Sequence, residues 1–109
     1  MSTVEDVLSA LAEPSRRELL ERLSVHGTAT ATTLAGELPI SRQAVVQHLA
    51  VLDAVGLVRG KHEGREHRFE VRAKRLTETA KWMEGLAAQW DSRLAAIKRI
   101  AESGNEASH

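Results

Sequence analysis

Residues 39–58, which read PISRQAVVQHLAVLDAVGLV, contain the pattern that decides the fold. Ser41 is of the residue type that most often caps a helix N-terminus. Apolar residues then recur at helical spacings of four and three, at Val45, Leu49 and Leu52. Gly56 supplies the left-handed residue that commonly ends a helix. The stretch therefore predicts an amphipathic helix over residues 41–55, with one face in a core and the other face free.

The free face of this helix carries side chains of the types that read DNA. Arginine can bond guanine in the major groove, glutamine can bond adenine, and valine can touch a thymine methyl. The helix N-terminus and its serine hydroxyl can also hold a phosphate, whereas an ordinary solvent-facing helix is the alternative. His48 lies at the edge of the core face, where a packing role and a phosphate contact are both open. The candidate DNA contacts of the helix are Ser41, Arg42, Gln43, Val46, Gln47 and His48.

Three shorter helices are predicted ahead of this one. Thr3 precedes an apolar series at helical spacing, with Asp6 three residues further on, as in a capped helix. Pro14 can open the second helix, because its missing N–H is not needed there, and Gly27 ends that helix. A threonine-rich stretch then leads into a short third helix, which Pro39 must terminate.

A β-hairpin with a charged tip is predicted over residues 57–71. Its two strands cover residues 57–63 and 66–71, which leaves Gly64 and Arg65 in the turn. The expected inward residues are Val58, Phe69 and Val71. The basic candidates for DNA contact on the hairpin are Lys61, Arg65 and Arg68.

A long helix is predicted over residues 76–102. Its apolar residues alternate spacings of four and three, and a second apolar stripe flanks the first. This is more apolar surface than one small domain can cover, so we expect a second copy of the chain to cover it. The expected interface pairs the first helix with the last and contains Val4, Val7, Leu8, Leu11, Trp82, Leu86, Trp90, Leu94 and Ile97. A small-molecule pocket lined by the two tryptophans is the alternative.

Length and composition limit what else the chain can be. Its 109 residues fit one domain, expected over residues 1–103 with a flexible tail at 104–109. The absence of cysteine excludes disulfides, thiolate metal sites and cysteine nucleophiles. No apolar run reaches the length of a membrane span, and the acidic N-terminus is unlike a signal peptide, so a cytoplasmic protein is expected. No spacing of Ser, His and Asp assembles a catalytic triad, so we expect no enzyme activity and no cofactor.

The basic residues are unevenly distributed, although the net charge is zero. Residues 41–75 hold eight basic against four acidic residues, whereas residues 1–40 hold three against six. The middle of the chain is therefore electropositive, as a surface that faces phosphates requires. A solvated charged face is the alternative that charge alone leaves open.

The order of the predicted elements is typical of a winged helix-turn-helix, a mainly α fold with a small β-hairpin and here a long C-terminal dimerisation helix. The segments EPSRRELLERL, LAGELPISRQAVVQHLAVLDAVGLV and EGREHRFEV together resemble the ArsR/SmtB-type transcriptional repressors over nearly the whole chain. This resemblance implies a bacterial homodimer that binds double-stranded DNA at inverted repeats and releases it when an inducer binds. The last helix resembles that of a metal-independent branch with paired tryptophans.

The metal ligands of the family's sensors are missing from the matching positions. The resemblance places Thr30 and Thr32 where metal-sensing relatives have two cysteines, and threonine supplies no thiolate. The long helix contains no histidine, which other relatives use to bind zinc. His62 and His67 flank the hairpin tip, where a surface metal site is the alternative to residues that face DNA. We expect no metal site, and release by an organic inducer or by protein concentration.

The sequence thus predicts a DNA-binding transcriptional regulator, acting as a dimeric repressor. The alternative is a winged-helix module that binds another protein through the same helix, for which a net charge of zero would be natural.

Overall fold

The chain folds mainly into helices, with one small sheet. A computed structural model describes the backbone of residues 3–107 and the side chains of residues 3–103. The elements in this part of the chain are α1 (Val4–Leu11), α2 (Pro14–His26), β1 (Thr28–Thr30), α3 (Ala31–Glu37), α4 (Arg42–Ala54), β2 (Val58–Glu63), β3 (Glu66–Val71) and α5 (Ala73–Ala107). The predicted fold class, a mainly α winged helix-turn-helix, is confirmed.

The helix ends coincide with the predicted capping residues. The hydroxyl of Thr3 accepts from the backbone N–H of Asp6 at 3.2 Å, and the Asp6 carboxylate accepts from the N–H of Thr3 at 3.0 Å. Pro14 is the first residue of α2. Gly56, with φ of +79°, follows the end of α4 in the left-handed conformation that favours glycine. Local sequence therefore sets where each of these helices begins or ends.

Two arginines at the start of α2 close the end of α1. The Nε of Arg16 donates to the carbonyl oxygen of Ala10 at 2.6 Å, and Nη1 of Arg17 donates to that of Leu11 at 2.6 Å. The last carbonyls of a helix have no partner within the helix, so these side chains satisfy them. The Glu13 carboxylate caps α2 in turn, because it accepts from the N–H of Arg16 at 3.1 Å. The segment EPSRR thus fixes the corner between α1 and α2.

The sheet contains a strand that the sequence analysis did not predict. Strand β1 pairs antiparallel with β3, which gives the order β1-β3-β2. Ala29 of β1 lies opposite Phe69 of β3, and both side chains are buried. Gly64 and Arg65 form the turn between β2 and β3 as predicted, with φ of +62° at the glycine. The β2–β3 hairpin is the wing.

One hydrophobic core lies among α1 to α4 and the sheet. Its largest fully buried side chains are Val7, Leu19, Leu23, Leu34, Val45, Leu49, Leu52, Leu57 and Val58. They include the three apolar residues that the spacing in α4 assigned to a core face. They also include Val7, which the sequence analysis placed in the interface between copies. At 1% exposure this side chain packs within its own chain and has no surface to offer a second one.

The chain divides into two compact units, Met1–Glu78 and Thr79–His109, and the expectation of one domain over residues 1–103 stays a prediction. The second unit contains the continuation of α5, a single helical segment that has no core of its own. Helix α5 also continues to Ala107, so residues 104–107 are helical although a tail was expected there. The helix can continue because this stretch contains no proline, and a glycine inside a helix lowers its stability by only about 1 kcal/mol. Residues 108–109 of the expected tail lie outside the described residues.

Candidate nucleic-acid interface

Helix α4 has one buried face and one exposed face. At its start the hydroxyl of Ser41 accepts from the backbone N–H of Ala44 at 3.1 Å. The buried face consists of Val45, Leu49 and Leu52. The exposed face includes the predicted contacts Arg42, Gln43, Val46 and Gln47. The amphipathic pattern thus leaves polar donors and acceptors free along one side of the helix, together with exposed apolar side chains such as Val46.

Arg42 is held by the preceding helix. Its Nε donates to the hydroxyl of Thr32 on α3 at 3.0 Å. The guanidinium has four further N–H groups on its two terminal nitrogens. Among the side chains that the structure describes, no carboxylate lies within ion-pair distance of this guanidinium. Arg42 therefore keeps its positive charge unneutralised and most of its donors available.

His48 faces α2 and lies apart from the exposed face of α4. Its half-buried ring accepts at Nδ1 from Nη1 of Arg16 at 3.4 Å. Its Nε2 lies 3.7 Å from a carboxylate oxygen of Glu13. Because both contacts belong to the start of α2, the ring joins α4 to α2 rather than facing a ligand.

Lys61 and Arg68 lie opposite each other on the solvent-facing side of the wing, but their surroundings differ. The Arg68 guanidinium donates from Nε and Nη2 to the hydroxyl and the carbonyl of Thr28, at 3.1 and 3.3 Å. Its Nη1 donates to the Glu66 carboxylate at 2.8 Å. All three of its nitrogens are therefore bound within the protein, and two of them fasten β1 to the hairpin, whereas Lys61 is exposed.

Three rings stack along the other side of the wing. The imidazoles of His62 and His67 are parallel to within 17°, with centroids 4.3 Å apart. The ring of His67 in turn lies 4.5 Å from that of Phe69, which is buried. The stack runs from the exposed end of the hairpin to the core and so supports the wing.

A groove of about 690 Å³ separates the wing from α3 and α4; we call it the wing groove. Arg42 and Thr32 line it on the side of the helices, and Arg65 lines it at the wing tip. Val46 contributes an apolar part of the wall. The groove thus brings two arginines from separate elements to one concave surface.

Helix α5 exposes a stripe of large apolar side chains. The α5 stripe consists of Trp82, Met83, Leu86, Trp90, Leu94, Ile97 and Ile100. Trp90 is 51% exposed and Leu94 is 57% exposed. The guanidinium carbon of Arg93 lies 5.3 Å from the centroid of the Trp90 ring, within cation–π range. On α1, the other expected interface residues Val4, Leu8 and Leu11 are half-buried.

Thr30 and Thr32, which the resemblance matches to the cysteines of metal-sensing relatives, both form hydrogen bonds within the protein. Thr30 caps α3, because its hydroxyl accepts from the N–H of Thr33 at 3.2 Å. Thr32 accepts from Arg42. Among the described residues, no group of three or more histidine, aspartate or glutamate side chains is placed to hold a metal ion. His26, at the end of α2, is paired with Glu37 at 2.7 Å.

Sequence reasoning missed the two residues that hold Arg42 and His48 in place. Thr32 lies ten residues before Arg42, and Arg16 lies 32 residues before His48. Neither pair is at a helical or strand spacing, so the sequence carried no local signal for either contact.

Known proteins share both the sequence pattern and this architecture. Residues 11–61 match a helix-turn-helix domain family. An ArsR-like transcriptional regulator from Rhodococcus sp. RHA1 has a similar structure, with a TM-score of 0.79 and 43% sequence identity over 90% of this chain and 92% of that one. A possible transcriptional regulator for arsenical resistance is also similar, with a TM-score of 0.70 and 34% identity over 84% of this chain and 94% of that one.

A curated relative matches a shorter stretch. The HTH-type transcriptional regulator Rv2034 of Mycobacterium tuberculosis is 51% identical over 49 residues. That alignment covers 45% of this chain, and the chain spans 45% of the relative's length.

The fold and the exposed face of α4 define a helix-turn-helix DNA-binding protein. The chain belongs to the ArsR family of transcriptional regulators. Within the described residues no helix is both long enough and apolar enough to cross a membrane.

Proposed function

We propose that the protein is a dimeric repressor that binds an inverted-repeat DNA operator through α4, without catalytic activity. The observation that carries the proposal is the exposed face of α4, where four side chains suited to DNA lie beside a fully buried apolar face. A protein that binds an operator on the bacterial chromosome would be located in the cytoplasm. A repressor of this kind acts by covering its operator, so DNA affinity is the property to test.

The exposed residues of α4 would divide into two kinds of contact. Gln47 and Gln43 can each bond an adenine edge, and Val46 can pack on a thymine methyl in the major groove. The start of the helix at Ser41 faces a phosphate in the same geometry. These assignments rest on the exposure of the side chains and on the chemistry of each residue type.

The wing would contact the sugar–phosphate backbone. Lys61 and Arg65 are exposed basic side chains on the hairpin, and Arg65 is at its tip. Contacts of this kind fix the register of a protein on DNA but carry no sequence information themselves. Arg68 is left out of the proposed interface because all three of its nitrogens donate within the protein. His48 is left out because its ring lies against Arg16 and Glu13 at the start of α2.

Two copies of the chain would pair through their apolar surfaces. The α5 stripe exposes seven large apolar side chains, which is the kind of surface that soluble monomers rarely leave uncovered. The half-buried residues Val4, Leu8 and Leu11 would complete the interface. A two-fold dimer makes an isologous contact and presents two copies of α4 about 34 Å apart, one turn of DNA. An inducer that releases the operator would bind near the same interface, at Trp82 and Trp90.

The test compares variants of one base-reading and one phosphate-contacting residue. Gln47→Ala is expected to weaken operator binding by about 1–3 kcal/mol and to relax specificity at one position. Arg65→Ala is expected to weaken binding evenly across sequences and to reduce the salt slope by about one. Ser92→Ala, an exposed change on α5, is the control and should leave binding unchanged. Mobility shifts at several salt concentrations give both quantities, and unchanged affinity in both variants would contradict the proposal.

A further inference from the structure

The hydrogen bond between Thr32 and Arg42 differs from those of the other hydrogen-bonded arginines in the described part of the chain. Arg16 and Arg17 donate to helix carbonyls, and Arg68 and Arg75 pair with carboxylates. Arg68 also donates to a hydroxyl, that of Thr28, but its charge is paired with Glu66. Arg42 donates to a neutral hydroxyl and, among the described side chains, to no carboxylate. That contact fixes the orientation of its side chain without neutralising its charge.

The contact uses one of the five N–H groups of the guanidinium and leaves its two terminal nitrogens for other partners. The terminal nitrogens can donate two parallel hydrogen bonds to a phosphate. In Arg42 the Nε is bound to Thr32, so the terminal nitrogens stay free. A long side chain normally loses rotamer freedom on binding, and a side chain held beforehand loses less.

The position of Arg42 in the wing groove indicates which anion it meets. Arg65 lines the same groove from the wing tip, and among the described side chains no carboxylate lies within ion-pair distance of either guanidinium. Of the carboxylates on the groove, Glu66 is paired with Arg68 at 2.8 Å. Asp53 lies eleven residues further along α4, about 16 Å from Arg42. The end of the groove beside Arg42 is therefore positively charged.

We propose that Thr32 is a positioning residue for DNA binding, which orients the Arg42 guanidinium toward a backbone phosphate at the edge of the wing groove. The inference rests on the proposed function. It assigns Arg42 to the phosphate backbone rather than to a guanine edge, because the hydrogen bond to Thr32 holds the guanidinium beside α3 at the edge of the wing groove. Contact with a phosphate does not depend on sequence.

The test measures the affinity for two duplexes of equal length by fluorescence anisotropy, one selected as operator and one unrelated. Thr32→Val removes the hydroxyl and keeps the shape of the side chain. We expect it to weaken binding to both duplexes by the same factor, about threefold to tenfold. Thr32→Ser keeps the hydroxyl and should restore binding to within about twofold of the wild type. Thr77→Val, the same change at an exposed threonine on α5 that does not line the wing groove, is the matched control and should have no effect.

A double variant separates positioning from damage to α3. In the Arg42→Ala background, Thr32→Val should cause no further loss, because the side chain that it positions is gone. A loss that persists in that background, or one confined to the operator duplex, would overturn the proposal. So would wild-type affinity in Thr32→Val. If the wild type binds neither duplex, the proposed function fails as a whole, whereas binding by the wild type with an unaffected Thr32→Val removes only the positioning role.

Discussion

Replacing Gly60 with alanine should loosen the wing by an amount that follows from its packing. Gly60 lies opposite Phe69, and the ring of His67 packs over it. A Cβ at this position would overlap the Nε2 of His67 and lie 3.0 Å from Cε1 of Phe69. The imidazole can turn away, but it then loses its stacking on both His62 and Phe69. The buried phenylalanine ring must also shift.

These losses add up to a measurable destabilisation. Each ring contact contributes about 0.5–1.5 kcal/mol, and forcing extra atoms into a packed site costs about 1–3 kcal/mol. Because the imidazole can relieve part of the overlap, we expect Gly60→Ala to lower the free energy of unfolding by about 2 kcal/mol. For a domain of this size that corresponds to a fall in Tm of about 8 °C.

Thermal and urea unfolding followed by circular dichroism measure this effect. Gly36→Ala is the matched control, because a Cβ there meets open space inside helix α3. It should stabilise the protein by about 0.5–1 kcal/mol. Adding His67→Ala to Gly60→Ala should cost less than the two single changes together, since the first variant has already broken the stack. Wild-type stability in Gly60→Ala would show that the rings of His67 and Phe69 do not resist a Cβ at this position.

Two further predictions concern assembly and metals. Leu94→Asp puts a charge in the α5 stripe and should give a monomer by light scattering at micromolar concentration. Ser92→Asp adds the same charge outside the α5 stripe and should remain a dimer. A monomeric wild type would contradict the expected interface. Micromolar zinc, nickel or cadmium should leave the operator complex intact, and so should chelators, because no three metal-ligating side chains are grouped among the described residues. If stoichiometric metal releases the DNA, and His62→Ala or His67→Ala abolishes that release, the wing holds a metal site.

Most of the helical fold was predictable because its signals are local. The caps at Thr3 and Ser41 and the apolar spacing in α4 act within a few residues of each other, and the structure confirms them. Strand β1 carries no such signal. It has three residues and exists because it pairs with β3, about forty residues further along the chain, and a strand made by such pairing depends on tertiary context.

The candidate site also combines features that the local sequence predicts with features that depend on the folded chain. The exposure of Val46 and Gln47 follows from helical period alone, and both lie where the sequence analysis placed them. The surroundings of Arg68 and His48 depend on Thr28 and Arg16, which lie 40 and 32 residues away. Charge and residue type suggested DNA contacts at both positions, but only the folded chain shows that these side chains are already bound.

The ratio of two affinities shows whether the protein binds DNA sequence-specifically. A duplex selected by the protein from a random pool can be compared with a scrambled duplex of the same composition at one salt concentration near 150 mM. We expect a selected sequence with inverted symmetry that binds at least about a thousandfold more tightly than the scrambled one. Equal affinity for the two duplexes, or no DNA retained from the pool, would contradict it and would favour a protein as the partner of α4.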